Sequence, residues 1–88
     1  MTWQINWSEE ARKELRKLDK KSQADILDYL DKRIAKANHP CDFGKALRYD
    51  KYGLWRYRVG DIRIICQVQS EELIILVLRV AHRKKVYD

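Results

Sequence analysis

The residues best suited to chemistry are three arginines on either side of a Gly-Asp pair: Arg56, Arg58 and Arg63. The guanidinium group is planar, keeps its charge at neutral pH and holds phosphate through two parallel hydrogen bonds. Several such groups around one phosphodiester would stabilise the extra negative charge of a pentacovalent transition state. The residue types therefore indicate a site for phosphate, with electrostatic stabilisation as the chemistry available.

The three arginines meet only if residues 54–68 fold as a hairpin with a loop of even length. Apolar and basic residues alternate there, and the Gly-Asp pair at 60–61 suits a two-residue turn. Arg58 then lies opposite Arg63, with Arg56 on the same face. The other face would carry three facing pairs: Val59 with Ile62, Tyr57 with Ile64, and Trp55 with Cys66. A three-residue bulged loop would send Arg63 to the apolar face instead.

Like charges placed directly opposite each other destabilise a sheet. A fold has no need of the predicted arrangement, whereas an anionic ligand does. Solvated arginines on an exposed strand are the alternative interpretation.

Cleavage of RNA would also require proton transfer, from the 2′-hydroxyl and to the departing 5′-oxygen. The groups near the predicted patch that can exchange a proton are His82, Lys84, Lys85 and Tyr87. Lys45 and Arg48 precede the hairpin, and with Lys84 they suit nonspecific phosphate contacts. The His and Cys residues lack the paired spacing of zinc sites, so we expect no metal and no cofactor.

Length and charge restrict the class of protein. Eighty-eight residues predict a single domain, 1–88, and the net charge of +6 favours a polyanion or an acidic protein as partner. Two cysteines do not make a disulfide framework. The chain shows no signal peptide and no apolar run of about 18 residues, so we expect a cytoplasmic protein without a membrane partner.

The elements before the hairpin must support it from one side. Residues 2–7 predict a strand with one buried face, and Ser8 is a candidate N-cap for a first helix. A second helix is predicted to run to about Ala37, with Ser22 and Asp25 as a variant capping box. Its predicted buried stripe is Ile26, Leu27, Leu30, Ile34 and Ala37.

The elements after the second helix complete the predicted sheet. Residues 41–52 are predicted to be a loop, and residues 73–80 an interior strand. We expect four of its residues to face the helices: Ile74, Leu76, Leu78 and Val80. Arg79 and Arg83 would then extend towards the arginine patch. The predicted fold is α+β, with an N-terminal strand, a two-helix hairpin and three antiparallel strands, and with the helices on one face of a mostly antiparallel sheet.

Two segments carry a resemblance to a known family. They are Trp55-Arg-Tyr-Arg-Val-Gly-Asp-Ile-Arg-Ile-Ile and Leu78-Arg-Val-Ala-His-Arg-Lys-Lys-Val-Tyr87. Together with Lys45-Ala-Leu47, they resemble the RelE branch of the RelE/ParE bacterial toxin superfamily. The resemblance implies a RelE-like fold and a ribosome-dependent endoribonuclease that cuts mRNA in the ribosomal A site. It also implies a cognate acidic antitoxin and an oligomer formed through that antitoxin complex.

The resemblance assigns roles to individual residues. Arg63 and Arg83 match the catalytic arginines of the family, and Tyr87 matches its C-terminal tyrosine. Arg56 and Arg58 replace two lysines found in some members. Since arginine is a poor general base, Tyr87, His82 or the ribosome would have to serve. We predict four catalytic residues, Arg58, Arg63, Arg83 and Tyr87, and five RNA-binding residues, Lys45, Arg48, Arg56, His82 and Lys84.

Two other functions fit the same sequence. One is a ParE-like inhibitor of DNA gyrase on the same fold, and the other is a noncatalytic RNA-binding module. Cleavage of mRNA on ribosomes separates the first prediction from both of these alternatives.

Overall fold

Two helices and five strands make up residues 2–47 and 53–82, the part of the chain that the computed structural model describes. The strands are β1 (Gln4–Trp7), β2 (Lys45–Ala46), β3 (Leu54–Val59), β4 (Ile62–Gln69) and β5 (Ile74–His82). The helices are α1 (Glu9–Arg16) and α2 (Lys20–Tyr29), and α2 continues into a π-helical turn (Leu30–Ile34). A short 3₁₀ turn (Pro40–Phe43) leads into β2.

The five strands form one sheet in the order β1-β5-β4-β3-β2. β1 pairs with β5 in parallel, and the other neighbours are antiparallel. The α+β prediction is confirmed, including the interior place of β5. The prediction of a loop over residues 41–52 missed β2, because two residues are too few to show an alternating pattern.

The predicted register of the central hairpin is confirmed. Arg58 lies opposite Arg63, and Tyr57 lies opposite Ile64. Gly60 has a φ of 59°, in the left-handed region that the first position of such a turn favours. The loop therefore has even length, and the arginines share one face.

The register predicted for β5 was wrong at most positions. Of the four predicted residues only Val80 lies in the core, and Ile75 and Val77 lie there in place of Ile74, Leu76 and Leu78. Opposite Ile65 and Cys66 the pairing skips one residue of β5, which is a β-bulge. A bulge shifts the alternation of side chains between the two faces by one residue. An alternating pattern that is correct on one side of the bulge is therefore wrong on the other side.

The core lies between the helices and one face of the sheet. Ala11 of α1 and Ile26 of α2 are fully buried there, against Tyr57, Ile64 and Val77. The predicted Ser8 cap is confirmed, because its side chain accepts a hydrogen bond from the Ala11 backbone at 3.0 Å. Burial of these apolar side chains is the main stabilising contribution and fixes the sheet that carries the arginines.

The second helix begins earlier than predicted. Its N-cap is Asp19, whose carboxylate accepts a hydrogen bond from the Ser22 backbone N–H at 3.1 Å. The predicted capping box at Ser22 and Asp25 was therefore wrong. The Ser22 hydroxyl also donates to the Asp19 carboxylate at 2.7 Å, and this bond, together with the backbone bond, holds the pKa of Asp19 below its usual value. Asp25 pairs instead with Lys21 across one turn, at 3.0 Å.

The buried stripe of this helix also differs from the prediction. Leu27 is 46% exposed, whereas Ile26, Leu30 and Ile34 are buried as predicted. In the π-helical turn the Ala35 backbone N–H donates to Leu30, five residues back, at 2.8 Å. The wider turn rotates the residues that follow, so Ala35 is buried in place of the predicted Ala37.

Beyond the end of β1, Ser8 and Glu14 form hydrogen bonds with the backbone of β5. The Ser8 backbone N–H donates to Val77 at 2.9 Å, and its hydroxyl donates to the Leu78 carbonyl at 3.2 Å. Two residues farther along β5, a Glu14 carboxylate oxygen accepts a hydrogen bond from the Val80 backbone N–H at 2.8 Å. The first turns of α1 therefore hold the last part of β5, which lies beside the arginine-bearing strand β4.

None of the helices in the described ranges combines the length and the apolar character needed to cross a membrane.

Candidate nucleic-acid interface

The sheet face turned away from the core carries two rows of basic residues across the strands. One row runs from Lys45 to Arg56, and the other from Arg58 to Arg63. Residues directly opposite each other point to the same side of a sheet, and so do residues two apart along one strand. Arg56 and Arg58 are two apart on β3, so the two rows lie on one face. We call these four side chains, Lys45, Arg56, Arg58 and Arg63, the basic face.

Exposure is unequal within the basic face. Arg56 and Arg63 are only 8% and 7% exposed, whereas Arg58 and Lys45 are exposed. The basic face therefore combines two buried and two exposed cationic side chains. Charged groups held away from bulk water act more strongly on a nearby charge than solvated ones do. Arg63 is placed to act as a fixed charge, and Arg58 as one that meets an incoming ligand first.

The Arg58–Arg63 pair is closely spaced. Antiparallel strands alternate between pairs that exchange hydrogen bonds and pairs that do not, and the pair flanking a two-residue turn exchanges them. Arg58 and Arg63 form the next pair along, for which the Cα atoms are about 4.5 Å apart. Two positive side chains thus start from the narrowest spacing that a sheet provides.

Arg79 pairs with Ile65, and this register places it on the same face of the sheet as the basic face. Its side chain is engaged by Glu14, with the Nε atom 3.1 Å and an Nη atom 3.0 Å from one carboxylate oxygen. Such paired bonds fix the guanidinium plane. Arg79 therefore ties β5 to α1 as an edge contact of the basic face.

A cavity of about 270 Å³ opens beside the basic face. It is lined by Asp42, Phe43, Gly44, Lys45, Arg56 and Arg58. Three of these side chains are cationic and one is anionic. The balance of charge favours an anionic ligand in the cavity.

Tight contacts hold the wall of this cavity against β3. The Tyr57 hydroxyl, which is buried, donates to the Pro40 carbonyl at 2.9 Å, and burial raises the pKa of that phenol well above its usual value. A Cβ added at Gly44 would lie 2.7 Å from the Arg56 backbone oxygen and 2.9 Å from the Tyr57 ring. Only glycine allows this close approach, so the 3₁₀ turn is fixed relative to the arginines.

His82 lies apart from the basic face. It ends β5 opposite Ile62, a core residue, and lines a second cavity of about 380 Å³ with Glu14 and Lys17. The structure therefore brings together Lys45, Arg56, Arg58 and Arg63, and places His82 on the helix side of the sheet. The remaining predicted site residues, Arg48, Arg83, Lys84 and Tyr87, lie outside the described residues, as does Lys85.

Comparisons with known proteins agree with this architecture. Residues 5–87 match the family described as the ParE toxin of type II toxin-antitoxin systems. The chain belongs to the RelE/ParE toxin family. It is therefore a toxin of a type II toxin–antitoxin system.

Individual relatives support the membership. Toxin RelG of Mycobacterium tuberculosis is 26% identical over 87 residues, which cover 99% of this chain and 98% of the relative. The toxin resembles a RelBE toxin–antitoxin complex from the same organism with a TM-score of 0.84 and 25% identity, over 94% of this chain and 93% of that one. Isolated E. coli RelE gives a TM-score of 0.75 at 20% identity, over 96% and 87%, and this likeness concerns the fold.

Sequence reasoning missed three residues that shape the candidate site. Phe43 carries the exposed ring of the cavity, Gly44 provides the close packing, and Glu14 holds the end of β5. A Pro at 40 and a Gly at 44 signal a tight turn ahead of the basic strand, and this signal could have directed attention to the residues between them.

Both cysteine thiols of the toxin have raised pKa values. Cys66 is buried in the core, and burial raises the pKa of its thiol far above the ordinary value. Burial also raises the pKa of Cys41. A raised pKa keeps a thiol protonated and unreactive at neutral pH. Within the part of the chain that the structure describes, no three His, Cys, Asp or Glu side chains are grouped as metal ligands.

Proposed function

We propose that this toxin is a ribosome-dependent endoribonuclease that cuts mRNA in the ribosomal A site. The observation that carries the proposal is the facing pair Arg58 and Arg63, with Arg56 and Lys45 beside it. Like charges directly opposite each other repel and do not by themselves stabilise a sheet. A phosphodiester bound across the pair would offset the repulsion and would be held by guanidinium forks.

The proposed reaction is a transfer of the phosphoryl group within the RNA. The 2′-oxygen loses its proton and attacks the neighbouring phosphorus, and the bond from phosphorus to the 5′-oxygen breaks. The products are a 2′,3′-cyclic phosphate and a 5′-hydroxyl that has gained a proton. Arg63 and Arg58 stabilise the additional negative charge of the pentacovalent transition state, and Arg83 is proposed as a third catalytic arginine.

Proton transfer is assigned to Tyr87 or to the ribosome. Arginine does not release its proton at neutral pH, so the residues at 56, 58 and 63 bind and stabilise charge. His82 lies on the helix side of the sheet, opposite Ile62, so its proposed contact to the RNA would lie apart from the basic face. Lys45, Arg48, Arg56 and Lys84 complete the proposed phosphate contacts.

The proposed partners follow from charge. An acidic antitoxin segment that folds on binding would neutralise the basic face, and the toxin would enter an oligomer through that complex. This fits the solved relative from Mycobacterium tuberculosis, which is a toxin–antitoxin complex. The target proposed is mRNA on the ribosome, which places the toxin in the cytoplasm.

A second candidate function is inhibition of DNA gyrase. This candidate is favoured by the match to the family described as the ParE toxin. In that case the basic face would bind protein or DNA without breaking a phosphodiester bond.

A purified translation system tests the proposal. Toxin is added to ribosomes stalled with a known codon in the A site, and primer extension locates new 5′ ends in the mRNA. We expect one cut in that codon, and a cut that moves when the stall is moved by one codon. Intact mRNA together with inhibited DNA supercoiling by gyrase would overturn the proposal in favour of the second candidate, and bound but intact mRNA would favour an RNA-binding module.

A further inference from the structure

Phe43 is an aromatic side chain presented to solvent beside the basic face. It is 45% exposed, and among the described residues the other large exposed hydrophobic side chain is Leu27, at 46%. Single exposed apolar side chains are common and need no explanation by themselves. The two residues differ in what surrounds them.

Leu27 borders a groove formed partly by apolar side chains of β1, Ile5 and Trp7. Phe43 instead lines the cavity that it shares with Lys45, Arg56 and Arg58. An aromatic ring next to several cations is the combination that binds single-stranded nucleic acid, because phosphates contact the charges while a base stacks on the ring. The residues that line the groove beside Leu27 include no Lys or Arg, so Leu27 provides a natural control.

The position of Phe43 relative to β3 is fixed from both sides along the chain. Before it, the Pro40 carbonyl accepts a hydrogen bond from the buried Tyr57 hydroxyl at 2.9 Å. After it, Gly44 is packed against the Arg56 backbone. The turn is also closed internally, since the Gly44 N–H donates to Cys41 at 3.2 Å. A ring carried on a rigid turn loses little conformational freedom when a base stacks on it.

We propose that Phe43 stacks on a nucleobase of the RNA strand whose phosphate is held by the basic face. The inference rests on the proposed function and adds a base-binding residue to it. The ligand class is a single-stranded RNA base, recognised through its π face. Stacking of this kind tolerates any base and favours purines through their larger area.

The surroundings favour RNA over the antitoxin as the occupant of this site. Lys45, Arg56 and Arg58 outnumber the single carboxylate of Asp42 in the cavity. A nucleotide satisfies both features at once, with its base on the ring and its phosphate on the cations. A protein segment would need an apolar residue for the ring and an acidic residue for each cation.

The test uses ribosomes programmed with mRNA that carries 2-aminopurine in the A-site codon, at each position in turn, with 2′-O-methyl groups that prevent cleavage. Fluorescence of 2-aminopurine falls when the base stacks. Wild-type toxin is compared with Phe43→Leu, which keeps an apolar side chain but removes the ring, and with Phe43→Tyr, which keeps the ring. Leu27→Ala is the matched control for loss of exposed apolar area.

We expect wild type and Phe43→Tyr to quench the base at one codon position, as does Leu27→Ala. Phe43→Leu should abolish that quenching and weaken toxin binding to the programmed ribosome about 5- to 100-fold. Equal quenching by wild type and Phe43→Leu would overturn the inference. So would a Phe43→Leu variant that loses only antitoxin binding, since the ring would then belong to the protein interface.

Cleavage of unmodified mRNA by the same variants separates the two proposals. If wild type cuts mRNA and Phe43→Leu cuts at the wild-type rate, the stacking inference fails while the proposed function stands. If wild type cuts no mRNA, the proposed function fails, and the stacking inference fails with it.

Discussion

Replacing Arg58 by glutamine should make the toxin more stable and less active. Arg58 is exposed and lies directly opposite Arg63, so the neutral side chain removes a cross-strand repulsion. Two charges about 6 Å apart repel by about 3 kcal/mol at an effective dielectric constant of 20 and by about 0.7 kcal/mol in water. Because Arg58 is exposed, the value nearer to water applies, in agreement with the ~0.2–1 kcal/mol measured for cross-strand pairs.

For a chain of this length, a gain of ~0.5 kcal/mol corresponds to a rise of ~2–4 °C in Tm. Loss of one group that stabilises a transition-state charge typically lowers the catalytic rate about 100-fold or more. The two effects have opposite signs, which distinguishes a residue kept for function from one kept for folding.

Thermal unfolding followed by circular dichroism measures the first effect, and cleavage of mRNA on programmed ribosomes measures the second. The gain in Tm should shrink as salt is raised from low to high concentration, because salt screens exposed charges. Arg12→Gln is the matched control, since it removes one exposed positive charge from α1, and we expect no comparable change in either assay. A lower Tm for Arg58→Gln, or unchanged cleavage, would refute the reasoning about the facing pair.

Three further changes test the frame that holds the basic face. Gly44→Ala places a Cβ 2.7 Å from the Arg56 backbone oxygen, so urea unfolding should show a loss of ~1–3 kcal/mol, and an unchanged midpoint would mean that the turn yields freely. Tyr57→Phe removes the donor to the buried Pro40 carbonyl and should cost ~1–3 kcal/mol in the same measurement, with no loss as the contrary result. Glu14→Ala deprives the end of β5 of its acceptor and should speed amide hydrogen exchange there more than Glu14→Gln does, whereas equal exchange in the two variants would contradict that role.

The hairpin was predictable from the sequence because two local signals agree. Alternation of apolar and basic residues defines the faces, and the Gly-Asp pair sets a loop of even length. Together they fix every facing pair, and Arg58 opposite Arg63 follows without tertiary information. The α+β class was predictable for a similar reason, since the two helices and the strands β1, β3 and β4 each show their own period.

Features that depend on contacts between distant parts of the chain were not predictable. The bulge in β5 occurs in a run where nearly every residue is apolar, so no polar residue marks the change of face. The exposure of Leu27 depends on how α2 lies over the sheet, and its neighbour Ile26 has an equally apolar side chain. Burial of Arg63 likewise reflects its place in the folded chain, since the sequence pattern gives the face of a strand residue but not its exposure.

The same limit applies to the candidate site. The sequence indicated the basic residues because charge repeats along the strands. Phe43 is a single aromatic residue in a segment without a periodic pattern, and its significance comes from the cavity that it shares with Arg56 and Arg58. Glu14 is separated from Val80 by 66 positions in the sequence, and only the fold brings them together.

The central claim is that Arg63 stabilises the transition state of phosphodiester cleavage. The most direct measurement is the single-turnover rate of mRNA cleavage on programmed ribosomes by wild type, Arg63→Lys and Arg63→Gln, at toxin concentrations that saturate the ribosomes. We predict a fall of about 100-fold or more for Arg63→Gln, and a smaller but clear fall for Arg63→Lys, which keeps the charge and loses the fork. Circular dichroism should show that both variants remain folded. A folded Arg63→Gln variant that cuts at the wild-type rate would contradict the account.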